Sequence, residues 1–247
     1  MNKKEILLQK IDKYSSVGKL IRFIRPPSLK FDLNGKKNRI SFSEAIIGSG
    51  LKGDIIDIGS GPIKDGNTKG LSSAIMDRRK AMDYIQNPGV DIVGSVDNIP
   101  IPNGTVAGVL FQGVIEHISN PQKAISEIYR ILKPGGYIYV EAPFMQHFHY
   151  DPEDYYRFTD DGLEKIFSLN NGFEITKKGS LYGPSAVLAD VLIEYISILF
   201  RHPILYWVVK WIVGWFLFWI KYLDILFIKN PQSKYLSFGV YIIGRKK

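Results

Sequence analysis

The pattern of apolar and polar positions changes near residue 50. Before it, residues 1–50 carry apolar positions interrupted by charges and by Pro26-Pro27, which predicts short helices in an N-terminal arm. After it, short apolar runs bounded by glycine and proline alternate with segments of helical periodicity. Alternating strands and helices favour a parallel sheet, so residues 51–247 are predicted to form one α/β domain.

Seven strands are predicted in this domain. They lie at Ile55–Ile58, 73–77, 90–95, 106–111, 137–142, Phe173–Ser180 and Leu236–Gly244. Helices are predicted from Pro121 to Leu132 and from Thr159 through Phe167, because proline and threonine suit the start of a helix. The last two strands flank a helical segment as a long hairpin, which predicts an antiparallel last strand. The fold class is therefore a Rossmann-like, doubly wound, mostly parallel seven-stranded sheet.

Residues 187–228 form an apolar helical insertion before the last strand. Its charged and small residues share one narrow arc of a helix, and its tryptophans recur every four residues. The arc holds Lys210, Gly214, Lys221 and Asp224, and the tryptophans are Trp207, Trp211, Trp215 and Trp219. The longest uncharged stretch, 211–220, is shorter than the roughly 20 residues of a bilayer crossing. Two interpretations stay open: the apolar face lies on a membrane surface, or it packs against the domain or a second subunit.

The positive charge of the chain is concentrated at its N-terminus, which is a second feature suited to a membrane surface. Residues 1–39 hold eleven Lys or Arg and three acidic residues, whereas the remainder holds 21 of each. Such a basic arm suits an anionic membrane surface or a solvated helix face. Nucleic acid is disfavoured because no recognition motif accompanies the charge. The N-terminus lacks a signal-peptide core, which predicts a cytoplasmic location, with the arm and the insertion available to the inner membrane face.

A glycine loop follows the first strand in Asp57-Ile58-Gly59-Ser60-Gly61, and Asp77 lies 20 residues beyond Asp57. In a doubly wound sheet, ligands bind beyond the carboxyl ends of the strands, where an acid can hold ribose hydroxyls. A dinucleotide site needs a third glycine at the start of a helix, and Pro62-Ile63-Lys64 stands there instead. The pattern therefore favours a nucleoside cofactor without a pyrophosphate.

Further segments follow this loop in a characteristic order. They are Gly94–Gly104, Val114–Ile118 and Ile131–Gly136, together with Asp57–Pro62 and Asp77. Their order and spacing resemble the class I S-adenosylmethionine-dependent methyltransferases, and more narrowly the type-11 methyltransferase domain, over about residues 53–180 plus the last strand. The resemblance implies S-adenosylmethionine as the cofactor and methyl transfer to a small-molecule acceptor.

The resemblance also implies a set of cofactor-binding residues. Asp57, Gly59, Gly61, Gln112 and Gly113 would lie at the methionine end, Asp77 at the ribose, and Ser95, Val96 and Asp97 at the adenine. Ser95 departs from the family, which usually has an acid there to accept from the adenine amino group. Asp97 is the candidate substitute.

Three histidines and one loop are candidates for the acceptor chemistry. A hydroxyl acceptor needs a general base, and the catalytic candidates are His117, His149 and Asp154. The acceptor-binding candidates are His147, Tyr155, Tyr156 and Arg157, and the same loop could instead be a lid over the cofactor. Histidine and aspartate at 147, 149, 151 and 154 are metal-ligand types, but they share one loop without a second ligand source, so no metal is predicted.

The sequence thus predicts a methyltransferase whose favoured acceptor is a membrane-associated lipid or lipid-linked glycan. A rival hypothesis is a non-catalytic binding subunit with the same fold, favoured by Ser95 and by the short connection after the first strand. The absence of cysteine excludes disulfides, thiolate metal sites and cysteine nucleophiles. An oligomer is compatible with the apolar insertion.

Overall fold

The computed structural model describes residues 24–30, 34–61, 68–150, 153–227 and 229–247. Residues 1–23 and 31–33 of the predicted N-terminal arm lie outside the described residues. The described part of the arm contains one helix of fourteen residues.

Seven strands form one sheet in the order β3-β2-β1-β4-β5-β7-β6. They are β1 (Ile55–Ile58), β2 (Arg79–Asp83), β3 (Ile92–Val93), β4 (Val106–Gln112), β5 (Leu132–Pro143), β6 (Phe173–Ser180) and β7 (Gly239–Lys246). Strand β7 pairs antiparallel with both β5 and β6, and the other pairs are parallel. The predicted fold class and the antiparallel last strand are confirmed.

Helices cover both faces of this sheet. They are α1 (Gly35–Gly48), α2 (Ser73–Met76), α3 (Pro121–Ile131), α4 (Asp160–Asn171), α5 (Pro184–Ser197), α6 (Pro203–Leu217) and α7 (Asp224–Phe227). On one face, Phe42 of α1 packs against Tyr139 of β5 with ring centroids 6.1 Å apart. On the other face, Ile125 of α3 and Phe167 of α4 are fully buried. Both faces of the sheet are therefore covered, as expected for parallel strands.

The predicted strand at 73–77 is wrong. Ser72 caps the one-turn helix α2 there by accepting from the backbone amide of Ile75, whose side chain is fully buried. The second strand is β2, six residues later, and only its last three residues are buried. A run of apolar residues can bury one side in a single helical turn, so the apolar run was a misleading strand signal. The predicted strand at 90–95 is reduced to the two residues of β3.

The helical insertion begins slightly earlier than predicted, at Pro184, and its apolar helices end at Phe227. We refer to residues 184–227 as the apolar insertion. The last strand starts at Gly239 rather than Leu236, because Pro231–Leu236 forms a 3-10 helix. The apolar insertion is not one straight helix either, since α6 changes to a 3-10 helix over Phe218–Leu223.

The polar arc of the apolar insertion faces the protein. Lys210 pairs with Glu194 of α5, and Lys221 donates to the Ser28 carbonyl oxygen at 2.6 Å. Asp224 is fully buried and accepts from the backbone amide of Ser185 at 2.7 Å. The apolar side of the same helices is therefore turned outward.

The outward side exposes many large apolar side chains, which we together call the apolar face. Its most exposed members are Phe216 and Leu226, each 72% exposed, and Ile204, 68% exposed. Further members are Leu188, Val191, Tyr195, Ile198, Leu199, Leu205, Trp207, Val208, Ile212, Trp215, Trp219 and Ile225. Soluble proteins rarely expose so large an apolar surface without a partner. By length and composition, the stretch Pro203–Phe227 is also long and apolar enough to cross a membrane. In its most apolar segment of 18 residues, 11% of the residues are buried.

Asp224→Ala should destabilise the protein by about 1–3 kcal/mol, because it leaves buried amide donors of α5 without an acceptor. Chemical denaturation would measure the free energy of unfolding. Glu174→Ala, at an exposed acid on β6, is the matched control and should be nearly neutral. Equal stabilities of the two variants would contradict the capping role of Asp224.

Candidate functional site

The glycine loop after β1 is shaped by close packing. Gly59 has a φ of 70°, and a Cβ atom on it would lie 2.4 Å from Val114 Cγ2, so only glycine fits there. The backbone amide of Gly61 donates to Asp83 Oδ2 at 2.9 Å. The loop is thereby tied to the carboxyl end of β2, where a nucleoside ligand is expected in this fold.

Asp57 is buried within β1 and pairs with Arg79 of β2. The Arg79 Nε donates to Asp57 Oδ2 at 2.7 Å. Burial raises the pKa of Asp57, and the guanidinium of Arg79 opposes that rise. Asp57 therefore joins β1 to β2, and its side chain is engaged within the protein rather than free at the methionine end.

Asp83 occupies the place that the sequence assigned to Asp77. Asp77 is exposed, follows α2 and precedes β2. It therefore lies at the amino-terminal end of β2, away from the carboxyl ends of the strands where the ligand is expected. Asp83 ends β2, is 8% exposed, and accepts from the amides of Gly61 and Ile85. The chain repeats Met-Asp at 76–77 and 82–83, and that repeat was the available signal for the second candidate.

The predicted adenine segment follows β3. The hydroxyl of Ser95 donates to the carboxylate of Asp97, and the Gly94 amide donates to the Asp83 carbonyl oxygen at 3.0 Å. Val96 is half-buried against the core. Ser95 and Asp97 thus form one hydrogen-bonded unit beside Asp83, which is compatible with Asp97 as the acceptor for an adenine amino group.

Gln112 and Gly113 lie at the carboxyl end of β4, as predicted. The Gly113 amide donates to the Glu141 carbonyl oxygen of β5 at 3.0 Å, and Gly113 has a φ of 64°. Glu116 Oε1 is 3.7 Å from the position of a Cβ on Gly113. The short 3-10 helix Ile115–His117 therefore sits directly at this strand end.

Glu116, His117 and His149 come together although they lie on two different segments. The two imidazole rings are 5.1 Å apart and nearly perpendicular. Glu116 is 3% exposed, and its Oε1 lies 3.8 Å from His117 Nε2. Burial raises the pKa of Glu116 and lowers the pKa of His149. Sequence reasoning named both histidines and missed Glu116.

Asp154 and Arg157 hold the loop after β5 together. Arg157 donates both terminal nitrogens to Asp154 and its Nη2 to the His147 carbonyl oxygen at 2.9 Å. Asp154 also accepts from the His149 amide at 2.7 Å. Burial acts to raise the pKa of Asp154, but Arg157 and the His149 amide lower it below its usual value. The geometry therefore supports a structural role for this pair instead of catalysis or acceptor binding.

His147 connects the same loop to the apolar insertion. Its Nδ1 is 2.7 Å from both carboxylate oxygens of Asp190 on α5, and its Nε2 is 3.5 Å from Glu194 Oε1. Tyr155 is exposed and bonded to Glu153, and Tyr156 donates to the Ser119 carbonyl oxygen at 3.2 Å. Of these predicted acceptor residues, His147 alone is shown in contact with the apolar insertion, within the described residues.

The sheet order is that of a class I methyltransferase fold, and the glycine loop and the acid that ends β2 lie together at the carboxyl ends of its strands. Residues 69–140 match the sequence model of a family described as "Methyltransferase domain". Over this part the chain is similar to S-adenosylmethionine-dependent methyltransferases, which bears out the predicted resemblance and the predicted cofactor.

A curated relative supports the same assignment over a short stretch. A probable S-adenosylmethionine-dependent methyltransferase of Mycolicibacterium smegmatis is 39% identical over 57 residues. That stretch is 23% of this chain and 22% of the relative, so the chain matches about a fifth of that protein.

Two solved structures of phosphoethanolamine N-methyltransferase 2 from Haemonchus contortus share the fold. Their TM-scores are 0.52 and 0.51, each at 15% identity. Each covers 96% of this chain, and the aligned parts are 59% and 58% of those chains. One contains phosphomonomethylethanolamine with S-adenosylhomocysteine, and the other contains S-adenosyl-L-methionine. At this identity they support the fold alone.

Asp83→Asn should weaken S-adenosylmethionine binding more than tenfold. Losing hydrogen bonds to a charged acceptor costs about 1.5–3 kcal/mol. Asp77→Asn, the matched control from the repeated Met-Asp, should bind normally. Isothermal titration calorimetry measures both, with thermal melting to verify folding. Normal binding by Asp83→Asn would refute the ribose role of Asp83.

Proposed function

We propose that this protein transfers a methyl group from S-adenosylmethionine to a membrane-associated lipid or lipid-linked glycan at the cytoplasmic membrane face. One observation carries the acceptor class: the loop beside the cofactor site is bonded through His147 to an insertion whose apolar face points outward. A lipid acceptor would reach the site along that face.

The cofactor would occupy the carboxyl ends of β1, β2 and β4. S-adenosylmethionine supplies a sulfonium that makes its methyl group transferable. Asp83 would accept from the ribose hydroxyls, Gly59 and Gly61 would allow close approach of the ligand, and Gln112 and Gly113 would border the methionine moiety. The segment at Ser95–Asp97 would hold the adenine.

For a hydroxyl acceptor, His117 and His149 are the general-base candidates. The lowered pKa of His149 favours its neutral form, which is the form that takes up a proton. The His117 Nδ1 lies against the Glu153 carbonyl oxygen, which selects the tautomer with a free Nε2. The geometry thus leaves His117 Nε2 as the nitrogen that would take up a proton.

The shape of the apolar insertion favours lying on a membrane over crossing it. Strands β6 and β7 are neighbours in one sheet, so the chain leaves and returns at the same edge. A crossing would have to carry Lys221 and Asp224 away from Ser28 and Ser185, to which they are now bonded. Charged groups in hydrocarbon are costly, whereas a surface helix keeps its polar side on the protein.

Residues 24–30, the described part of the basic arm before α1, lie beside the apolar insertion. Trp215 Nε1 donates to the Ile24 carbonyl oxygen at 2.8 Å, and a Cβ on Gly214 would lie 2.7 Å from Pro26. Residues 24–26 therefore lie against the apolar insertion, and we propose that the Lys and Arg residues of the arm meet anionic headgroups there. Each basic side chain near such a surface contributes about 1 kcal/mol, and salt screens that contribution.

Replacing Phe216 and Leu226 together by serine should make vesicle binding sensitive to salt. The parent protein should co-sediment with anionic vesicles even at high salt and require detergent for release, because apolar burial is not screened. Ile40→Ser with Ile47→Ser, two exposed positions on α1, is the control pair and should behave as the parent.

The membrane hypothesis has a clear failing outcome. If the parent stays in the supernatant with anionic vesicles and elutes as a stable dimer, the apolar face is a subunit interface. If it stays in the supernatant as a monomer, residues 1–23 are the remaining candidate to cover that face.

Incubation with S-adenosylmethionine labelled in the methyl group tests the reaction itself. Label should enter the lipid or lipid-linked glycan fraction of membranes, and Asp83→Asn should reduce the incorporation more than tenfold at limiting cofactor. A protein that binds the cofactor but labels no fraction would instead support the non-catalytic binding subunit.

A further inference from the structure

We propose that Glu116, His117 and His149 bind a divalent transition-metal ion. One carboxylate oxygen and one nitrogen from each ring lie within 4.8 Å of one another. The ligands come from two segments, the 3-10 helix after β4 and the loop after β5. Sequence reasoning rejected a metal because the loop lacked a second ligand source, and the fold supplies that source.

The buried carboxylate of Glu116 provides an independent observation. Glu116 is 3% exposed, and within the described part of the chain its Oε2 has no hydrogen-bond partner. Its Oε1 is 3.8 Å from His117 Nε2, which is too long for a hydrogen bond. A buried carboxylate oxygen without a partner is costly, and a cation beside it would remove that cost.

The two rings are held as metal-binding histidines usually are. The Nδ1 of His117 lies against the Glu153 carbonyl oxygen. The Nδ1 of His149 is 3.4 Å from both the His147 carbonyl oxygen and Asp154 Oδ2, and 3.3 Å from Gln146 Nε2, so metal binding through Nε2 requires Nδ1 to donate to one of the two oxygens. A ring that donates from Nδ1 to an oxygen presents its other nitrogen as a ligand. Arg157 fixes Asp154 in turn, so the second ligand shell is already built.

The side chains of His147, Asp190 and Glu194 form a second cluster of possible metal ligands. We call it the closed cluster, because its carboxylates are already bonded to other side chains. Asp190 uses both carboxylate oxygens on His147, and Glu194 is occupied by Lys210 and by the hydroxyl of Tyr206 at 2.7 Å. A lysine ammonium already neutralises that group. This second cluster therefore serves as an internal control.

The ligand set indicates the class of ion. Two imidazoles and one carboxylate suit manganese, iron, cobalt, nickel or zinc, and three protein ligands leave positions open. Bonds of about 2.0–2.2 Å require donor atoms roughly 3–3.5 Å apart, so the present separation of Glu116 and His117 needs only a small contraction.

The role of the ion rests on the proposed methyl transfer, and with the ion bound it replaces the general-base role of His117 and His149, whose ring nitrogens would then be ligands. An acceptor hydroxyl bound at an open position would lose its proton to solvent more readily. Its oxygen would then form a bond to the methyl carbon, while the electron pair of the broken carbon–sulfur bond returns to sulfur. The products would be the methyl ether and S-adenosylhomocysteine.

Cobalt(II) titration of untagged full-length protein tests the site without any acceptor. Visible absorption and calorimetry should show one ion per chain, and Glu116→Gln and His149→Gln should each weaken binding at least tenfold. Glu194→Gln and Tyr206→Phe, in the closed cluster, should bind cobalt as the parent does. Thermal melting of each variant establishes that it is folded.

Several outcomes would overturn the metal site. They are no cobalt binding by the parent, binding unaffected by Glu116→Gln and His149→Gln, or an equal loss in the closed-cluster variants. Should Glu116→Gln fail to fold, His117→Gln replaces it, with the same tenfold loss expected. Because cobalt binding needs neither cofactor nor acceptor, its loss is distinct from failure of the methyl-transfer proposal, which the labelling experiment alone decides.

Discussion

Strand β7 lies between β5 and β6 and pairs antiparallel with both. This pairing constrains the path of the residues that connect β6 to β7. Because β6 and β7 are hydrogen-bonded neighbours, the residues between them must leave the sheet and return at one edge. The apolar insertion therefore cannot extend away as one free helix. Its few polar residues are drawn onto the domain, where Asp224 caps α5 and Lys221 reaches Ser28, and the apolar side is left outside.

The same arrangement brings the insertion to the site. Within the loop after β5, Asp154 pairs with Arg157. The loop is also attached to α5, because His147 bonds to Asp190 of that helix. Residues that looked suited to gripping an acceptor are instead the means by which the loop is positioned. The proposed lipid acceptor rests on this connection, since an exposed apolar surface is joined through His147 to the loop beside the proposed cofactor site.

The buried acid Glu116 shows how a site differs from its sequence motif. In sequence it is one residue of the motif Val114–Ile118, next to a histidine and far from the loop of His149. In space the three side chains converge, and the carboxylate has an oxygen without a partner. Only the packing of two strand ends brings these donors together, so no spacing rule along the chain could have indicated it.

The sequence by itself determined the fold class, the antiparallel last strand, the glycine loop and the helix starting at Pro121, because local periodicity and turn residues encode them. It misplaced the second strand, since Ala74-Ile75-Met76 is the longer apolar run, whereas β2 begins with Arg79 and Lys80 and is identified as a strand only by its pairing with β1. The sequence also predicted that the polar residues of the apolar insertion share one arc of a helix. It did not indicate whether that arc faces the domain or the solvent. Helical periodicity defines a face, but the direction of that face depends on what the rest of the chain leaves for it to contact.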